Sequence, residues 1–163
     1  MARIASLIVA LDLLLLVSAA PAGAADPQAQ GTLVYKTYSV PMRYAYFVLG
    51  PDDVNRKTIR RVILSSTDIG EKIVACKSMS CTEGQVREGM SVDLVPGGRI
   101  EYWIALSGQF VQYSGTEPAA SLQITANQAE RLAGHLKFDS TGAGGPRIDV
   151  EFDAPLTKDL RPQ

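Results

Sequence analysis

Residues 148–153 read Ile-Asp-Val-Glu-Phe-Asp, apolar and acidic residues in strict turn. A period of two sends successive side chains to opposite faces of an extended strand, so such a run has one face to bury and one to wet. The pattern recurs along the chain and restricts its fold more than any other feature. Leu33, Tyr35 and Thr37 fall on the side opposite Val34, Lys36 and Tyr38. Residues 42–49 resume the extended pattern after Pro41, and residues 58–65 set Ile59 and Ile63 against Val62 and Leu64. Ile100, Tyr102, Ile104 and Leu106 share a face, as do Leu132, Gly134, Leu136 and Phe138. Residues 110–113 and 121–125 fit shorter strands. Turn residues separate the runs: Gly50-Pro51-Asp52-Asp53, Pro96-Gly97-Gly98, Ser107-Gly108, Ser114-Gly115 and the Gly-rich stretch 141–146. About eight short strands at regular spacing predict an all-β chain, an antiparallel β-sandwich (Ig-like) or a partly closed barrel. A parallel α/β fold is excluded because no helical crossover of the required length separates consecutive strands. The least strand-like stretch, 67–89, predicts one short helix near 68–78, capped by Asp68, with Ile69 and Ile73 inward.

The first 24 residues carry a different signal. Arg3 precedes an apolar run over 4–20, and Pro21-Ala22-Gly23-Ala24 follows. A basic start, a greasy centre and small residues of the A-x-A type describe a secretory signal peptide cleaved after Ala24 or Ala25. Asp12 argues against a retained anchor, since a carboxylate at a bilayer centre costs roughly 2.5–3.5 kcal/mol on insertion scales. The leader predicts an exported protein, periplasmic or extracellular, in the style of a bacterium. A flexible arm is expected over 25–31, one domain over 32–156 and a polar tail over 157–163.

The formal net charge of −1 supplies no basic field to attract nucleic acid or an anionic membrane. Cys76 and Cys81 enclose four residues, a spacing unlike the C-x-x-C of redox proteins, and an exported chain with two cysteines predicts a disulfide. In a continuous helix residues five apart project about 140° apart, and in a strand they lie roughly 16 Å apart. Bonded cysteines need Cα atoms about 4.4–6.8 Å apart, so a turn must fall between them, near Ser78.

The remaining chemistry-bearing residues point to binding rather than catalysis. His135 is the chain's one histidine, on the outward side of its strand, and no G-x-S-x-G elbow accompanies it. Asp149, Glu151 and Asp153 share a strand face that reads as solvated and as a guard against edge pairing. Arg56, Lys57, Arg60 and Arg61 form a basic run, suited to an acidic partner or to pairing with that acidic strand. Tyr44 and Tyr46, with Tyr35, Tyr38, Phe47, Tyr102, Trp103 and Tyr113, supply aromatic surface for a glycan or peptide, or core and cross-strand pairs. No catalytic residue, metal ligand set or cofactor motif is assigned.

Five pieces together resemble a loose group of uncharacterised secreted bacterial β-sandwich proteins: Gly31-Thr32-Leu33, Tyr44-Ala45-Tyr46, Val62-Ile63-Leu64, Pro96-Gly97-Gly98-Arg99-Ile100 and Asp149-Val150-Glu151-Phe152. The chain departs from that group in having Arg43 where the group has a His, and Ser65-Ser66-Thr67-Asp68 where it has a Pro-rich loop. The resemblance implies a sandwich and no activity.

The expectation is therefore an exported, non-enzymatic binding or structural domain, its partner an extracytoplasmic protein, glycan or small ligand. The rival expectations are a small-ligand or lipid-binding β-barrel carrier and a small secreted hydrolase. A carrier requires a deep apolar cavity, and a hydrolase requires His135 or a carboxylate pair in a cleft.

Overall fold

Alternation becomes strand almost wherever it occurs. The structure, a computed structural model, describes residues 28–162; the leader expected over 1–24 lies outside the described residues. The chain forms β1 (Gln28–Tyr35), β2 (Tyr38–Met42), β3 (Tyr44–Pro51) and β4 (Thr58–Ser65), then two short helices, α1 (Gly70–Ala75) and α2 (Met79–Glu83). There follow β5 (Gly89–Val95), β6 (Arg99–Leu106), β7 (Val111–Pro118), β8 (Leu122–Asn127), β9 (Arg131–Asp139) and β10 (Arg147–Asp159).

The fold is all-β, as the alternation predicts, but the strands build one curled ten-stranded sheet, a half-barrel, and not two separate sheets. The strand order is β2-β1-β10-β3-β4-β5-β6-β7, with β9 also on β10 and β8 on β9. β10 makes this possible. Thirteen extended residues reach about 43 Å. Its first half lies between β1 and β9, antiparallel to both, and its last residues run parallel to β3 with a register shift between Leu156 and Lys158. All other pairs are antiparallel.

Two expected boundaries move for the same reason. Residues 28–31, expected in a flexible arm, pair with 150–153 of β10. Residues 157–159, expected in a polar tail, continue β10 beside β3, and the Leu160 N–H donates to the Leu49 carbonyl at 2.7 Å. Ser114-Gly115, expected as a turn, sits inside β7, whereas Ser107-Gly108 does turn.

The faces fall as the period requires. Leu33, Phe47, Val62, Leu64, Ile100, Tyr102, Ile104, Ile148, Val150 and Phe152 all point into the concave side and form the main core. Where no ladder joins β6 and β7 to the strands facing them, rings fill the gap: Tyr35 lies 5.3 Å from Tyr113, and Tyr102 lies 5.1 Å from Phe138. The convex face of β3 and β4 is covered by the helices, and Tyr46, Val48, Ile59, Ile63, Ile69, Ile73 and Met79 form a second core there. Burial on both faces explains the nearly unbroken apolar run Ala45–Leu49 in a fold otherwise built on alternation.

The expected helix is there, shortened, and a second follows it. Asp68 does not occupy the N-cap position of α1, which falls to Ile69; its carboxylate accepts from the Gly70 N–H at 2.9 Å instead. Ser78 caps α2, accepting from the Cys81 N–H. The Cys76–Cys81 disulfide joins the two helices across that break, with Cα atoms 5.6 Å apart. Because the closed loop is short, the Cys76→Ser/Cys81→Ser variant is expected to lose only about 2 kcal/mol in urea unfolding. A loss near 5 kcal/mol would show the bond holding more than this one corner.

Candidate functional site

The helices cover only part of the convex face. On β5 the alternation turns Met90 and Val92 inward and leaves Ser91 and Asp93 on that face. On β6 it leaves Glu101 and Trp103 there, and on β7 Ser114 and Thr116. Beyond the edge of α2 these side chains, with Glu83, line an open depression of about 450 Å³. Trp103, half-buried, packs against the second core and also lines the groove.

The floor is held by a buried arginine. Arg61, 5 % exposed, projects from the convex face of β4. Its Nε and Nη2 donate to the two Asp93 oxygens at 2.6 and 2.7 Å, and its Nη1 donates to the Met79 carbonyl at 2.6 Å. Nη2 also lies 3.3 Å from Glu83. Burial works against the Arg61 charge, but the bonds to Asp93 together with the negative charges of Asp93, Glu83 and Asp53 outweigh it and hold the pKa above its ordinary value. Burial raises the Glu83 carboxyl above the usual range, with Arg61 pulling it back. The Ser91 hydroxyl donates to Glu83 at 3.4 Å. Asp93, Glu83 and the α2 backbone are thus fixed relative to one another, so the groove's acceptors are preorganised.

The residues singled out in the sequence do not come together. Arg60 and Arg61 are neighbours in sequence but leave β4 on opposite faces. Arg60 lies over the Phe47 ring, 4.7 Å from its centroid, and donates to the Gln128 carbonyl at 2.9 Å. Arg61 is spent on Asp93 and is no free surface cation. Arg56, at φ 62°, and Lys57 stay exposed in the β3–β4 turn, where Asp52 accepts from the Val54 and Asn55 N–H groups. There is no basic patch of four. Tyr46 is fully buried: its hydroxyl donates to Asp68 at 2.7 Å and accepts from the Ile69 N–H at 2.9 Å. Burial, with the bond to Asp68, raises its pKa well above the ordinary range. Tyr44, half-buried on the same face of β3, borders a separate depression of about 610 Å³ with Arg43, Gln30 and Glu151.

The acidic face of β10 has partners other than the 56–61 run. Arg131 of β9 clasps Asp153 with two bonds of 2.7 and 2.6 Å. Asp149 lies 2.7 Å from Lys137 and 2.6 Å from His135 Nε2. His135 therefore belongs to an exposed cross-strand charge ladder, and among the described residues no Ser, Thr or Cys is bonded to it. The Lys137 bond, then that of His135, depresses the Asp149 carboxyl below its ordinary 3.8. A carboxyl depressed on folding stabilises above its unfolded pKa and loses that contribution as pH falls through the folded value. Asp149→Asn is thus expected to lower stability modestly at neutral pH and to flatten its loss below about pH 4, so that variant and parent converge in acid. Urea midpoints measured across that range check it; parallel acid limbs for variant and parent would rule it out.

Among the described residues no group of three or more His, Cys, Asp or Glu side chains is placed to hold a metal ion. No described helix is long and apolar enough to cross a membrane. Sequence alone did not reveal the Trp103 groove, because its acidic members come from α2, β5 and β6. One local signal was legible: Trp103 stands on the polar face of an otherwise clean alternation. The chain matches no protein-family model, no curated protein and no solved structure.

Proposed function

We propose that the protein is an exported, non-enzymatic binding domain whose Trp103 groove takes an uncharged glycan segment. One observation carries the proposal: a half-buried indole flanked by fixed carboxylates and hydroxyls. The indole face supplies apolar contact area for the C–H side of a sugar ring. Glu83, Asp93 and Glu101 accept from sugar hydroxyls, and Ser114 and Thr116 both donate and accept. Three carboxylates lining the groove disfavour a polyanion. Export is supported by the leader pattern over 1–24 and by the Cys76–Cys81 bond. The carrier alternative wants an enclosed apolar cavity, whereas the depressions beside Arg43, Trp103 and Phe138 open at the surface.

Trp103 is the chain's sole tryptophan, so its emission reports directly on the groove. Titration with cello-, xylo- and chito-oligosaccharides is expected to change that emission saturably for at least one of them, and heparin is expected to leave it unchanged. Calorimetry with the responding sugar should show binding lost in Trp103→Ala and weakened in Glu101→Gln. Absence of a saturable response to all three sugars, or unaltered binding by Trp103→Ala, would overturn the proposal.

A further inference from the structure

The curled sheet leaves three strand edges without a ladder, on β2, β7 and β8. Natural edges are guarded by brevity, proline, bulges or charge. β2 has five residues and contains Pro41, and the pairing of β8 is broken by a register shift between Ile124 and Ala126. β7 has no such guard. It runs eight residues in unbroken register with β6, carries no lysine or arginine, and reaches its proline only at the last position. Its single charge, Glu117, accepts from the Ser140 hydroxyl.

A second observation lies at the start of the same strand. Phe110 is 93 % exposed. The turn before it is held in the left-handed region at three consecutive residues, Ser107 at φ 52°, Gly108 at φ 68° and Gln109 at φ 82°. Two of these are not glycine, so the surroundings must impose the conformation. They do: the Gln109 side-chain amide donates to the Gly84 and Val86 carbonyls at 2.9 and 2.7 Å, and the Glu88 carboxylate accepts from the Gly108 N–H at 3.0 Å. A strained and firmly tied turn thus presents a large apolar side chain to solvent.

We infer that β7 pairs antiparallel with β7 of a second copy of this chain, about a two-fold axis through Ser114, with Phe110 lying against Pro118 of the other copy. A two-fold axis normal to the sheet requires one residue to oppose itself. With Ser114 at that position, Gln112 opposes Thr116, Val111 opposes Glu117 and Phe110 opposes Pro118, and no like charges meet. The strand's two ends complement each other, Phe110 at one and Pro118, Ala119 and Ala120 at the other, so one copy supplies both halves of the contact. The occupant is therefore a second copy rather than an unrelated chain. The pairing also brings the Ser114 walls of two Trp103 grooves together into one trough, although the dimer does not depend on what the groove binds.

Sedimentation velocity of the exported, oxidised protein is expected to show a concentration-dependent dimer. Phe110→Asp should weaken it by about tenfold or more without lowering the urea midpoint, because the side chain is exposed in the monomer. Ser114→Cys should form a covalent dimer under mild oxidation, and cysteine at the exposed Gln123 of β8 should not. A monomer up to millimolar concentration overturns the inference, as does a dimer that survives Phe110→Asp and fails to cross-link through position 114. Sugar titration of the monomeric Phe110→Asp variant separates this outcome from that of the glycan proposal.

Discussion

Arg61→Ala is expected to lower the unfolding free energy by about 3–5 kcal/mol, one of the two largest single-residue effects in this fold. The cost comes from what is left behind. The Asp93 side chain is 15 % exposed and would lose both of its guanidinium bonds. The Met79 carbonyl, in the first turn of α2, would lose its Nη1 donor, and Glu83 its nearest cation. A buried carboxylate without its partner must protonate, draw in water or move, and each route loosens α2 from β5. Arg61→Lys should recover part of the loss, since one ammonium cannot reproduce the fork that meets both Asp93 oxygens and the Met79 carbonyl. Arg60→Ala is the internal control. It removes a cation over the Phe47 ring and one bond to Gln128, and is expected to cost about 1 kcal/mol. Urea unfolding of the three variants decides the matter. Equal losses for Arg60→Ala and Arg61→Ala would show that the Arg61 network is not what holds α2 in place.

The second large effect is expected at Gly31, whose substitution by alanine should cost about 3 kcal/mol or more. Gly31 has φ 145°, a conformation that residues with a Cβ rarely adopt. A Cβ there would also lie 2.0 Å from the Asp149 carbonyl oxygen and 2.7 Å from the Val150 Cα. Both are backbone atoms of β10, and neither can swing aside as a side chain could. β1 would have to part from β10 at the centre of their ladder, so amide exchange should accelerate in β1 and β2 before it does in β4 and β5. Gly142→Ala, with nothing within 4 Å of the added atom, is expected to stay within about 0.5 kcal/mol of the parent. Similar losses at the two glycines would remove the steric explanation.

Legibility followed the range of the interactions. Ile100, Tyr102, Ile104 and Leu106 could be assigned to one face because alternation is a property of a single strand. The Pro96-Gly97-Gly98 turn was visible because its geometry needs positive φ, which Gly97 and Gly98 adopt. The turn between Cys76 and Cys81 followed from reach alone. Residues 28–31 and 157–159 depart from expectation because polar, weakly patterned segments become strands only when a neighbour offers a ladder, β10 for the first and β3 for the second. Tyr46 fits either surface or core by sequence, because its strand carries apolar residues on both faces, and only the cover of α1 decides that the convex one is dry.

The sequence by itself determined that this chain is all-β, which face of most strands is apolar, and that the cysteines flank a turn, because each is settled within a few consecutive residues. Tertiary structure decided that the strands close as one half-barrel around β10, that Arg61 is buried while Arg60 lies over Phe47, and that Trp103 shares a groove with Glu83 and Asp93. Those outcomes depend on which strands become neighbours and where α1 and α2 settle. Both are fixed by burial summed over the whole chain, which no local window contains.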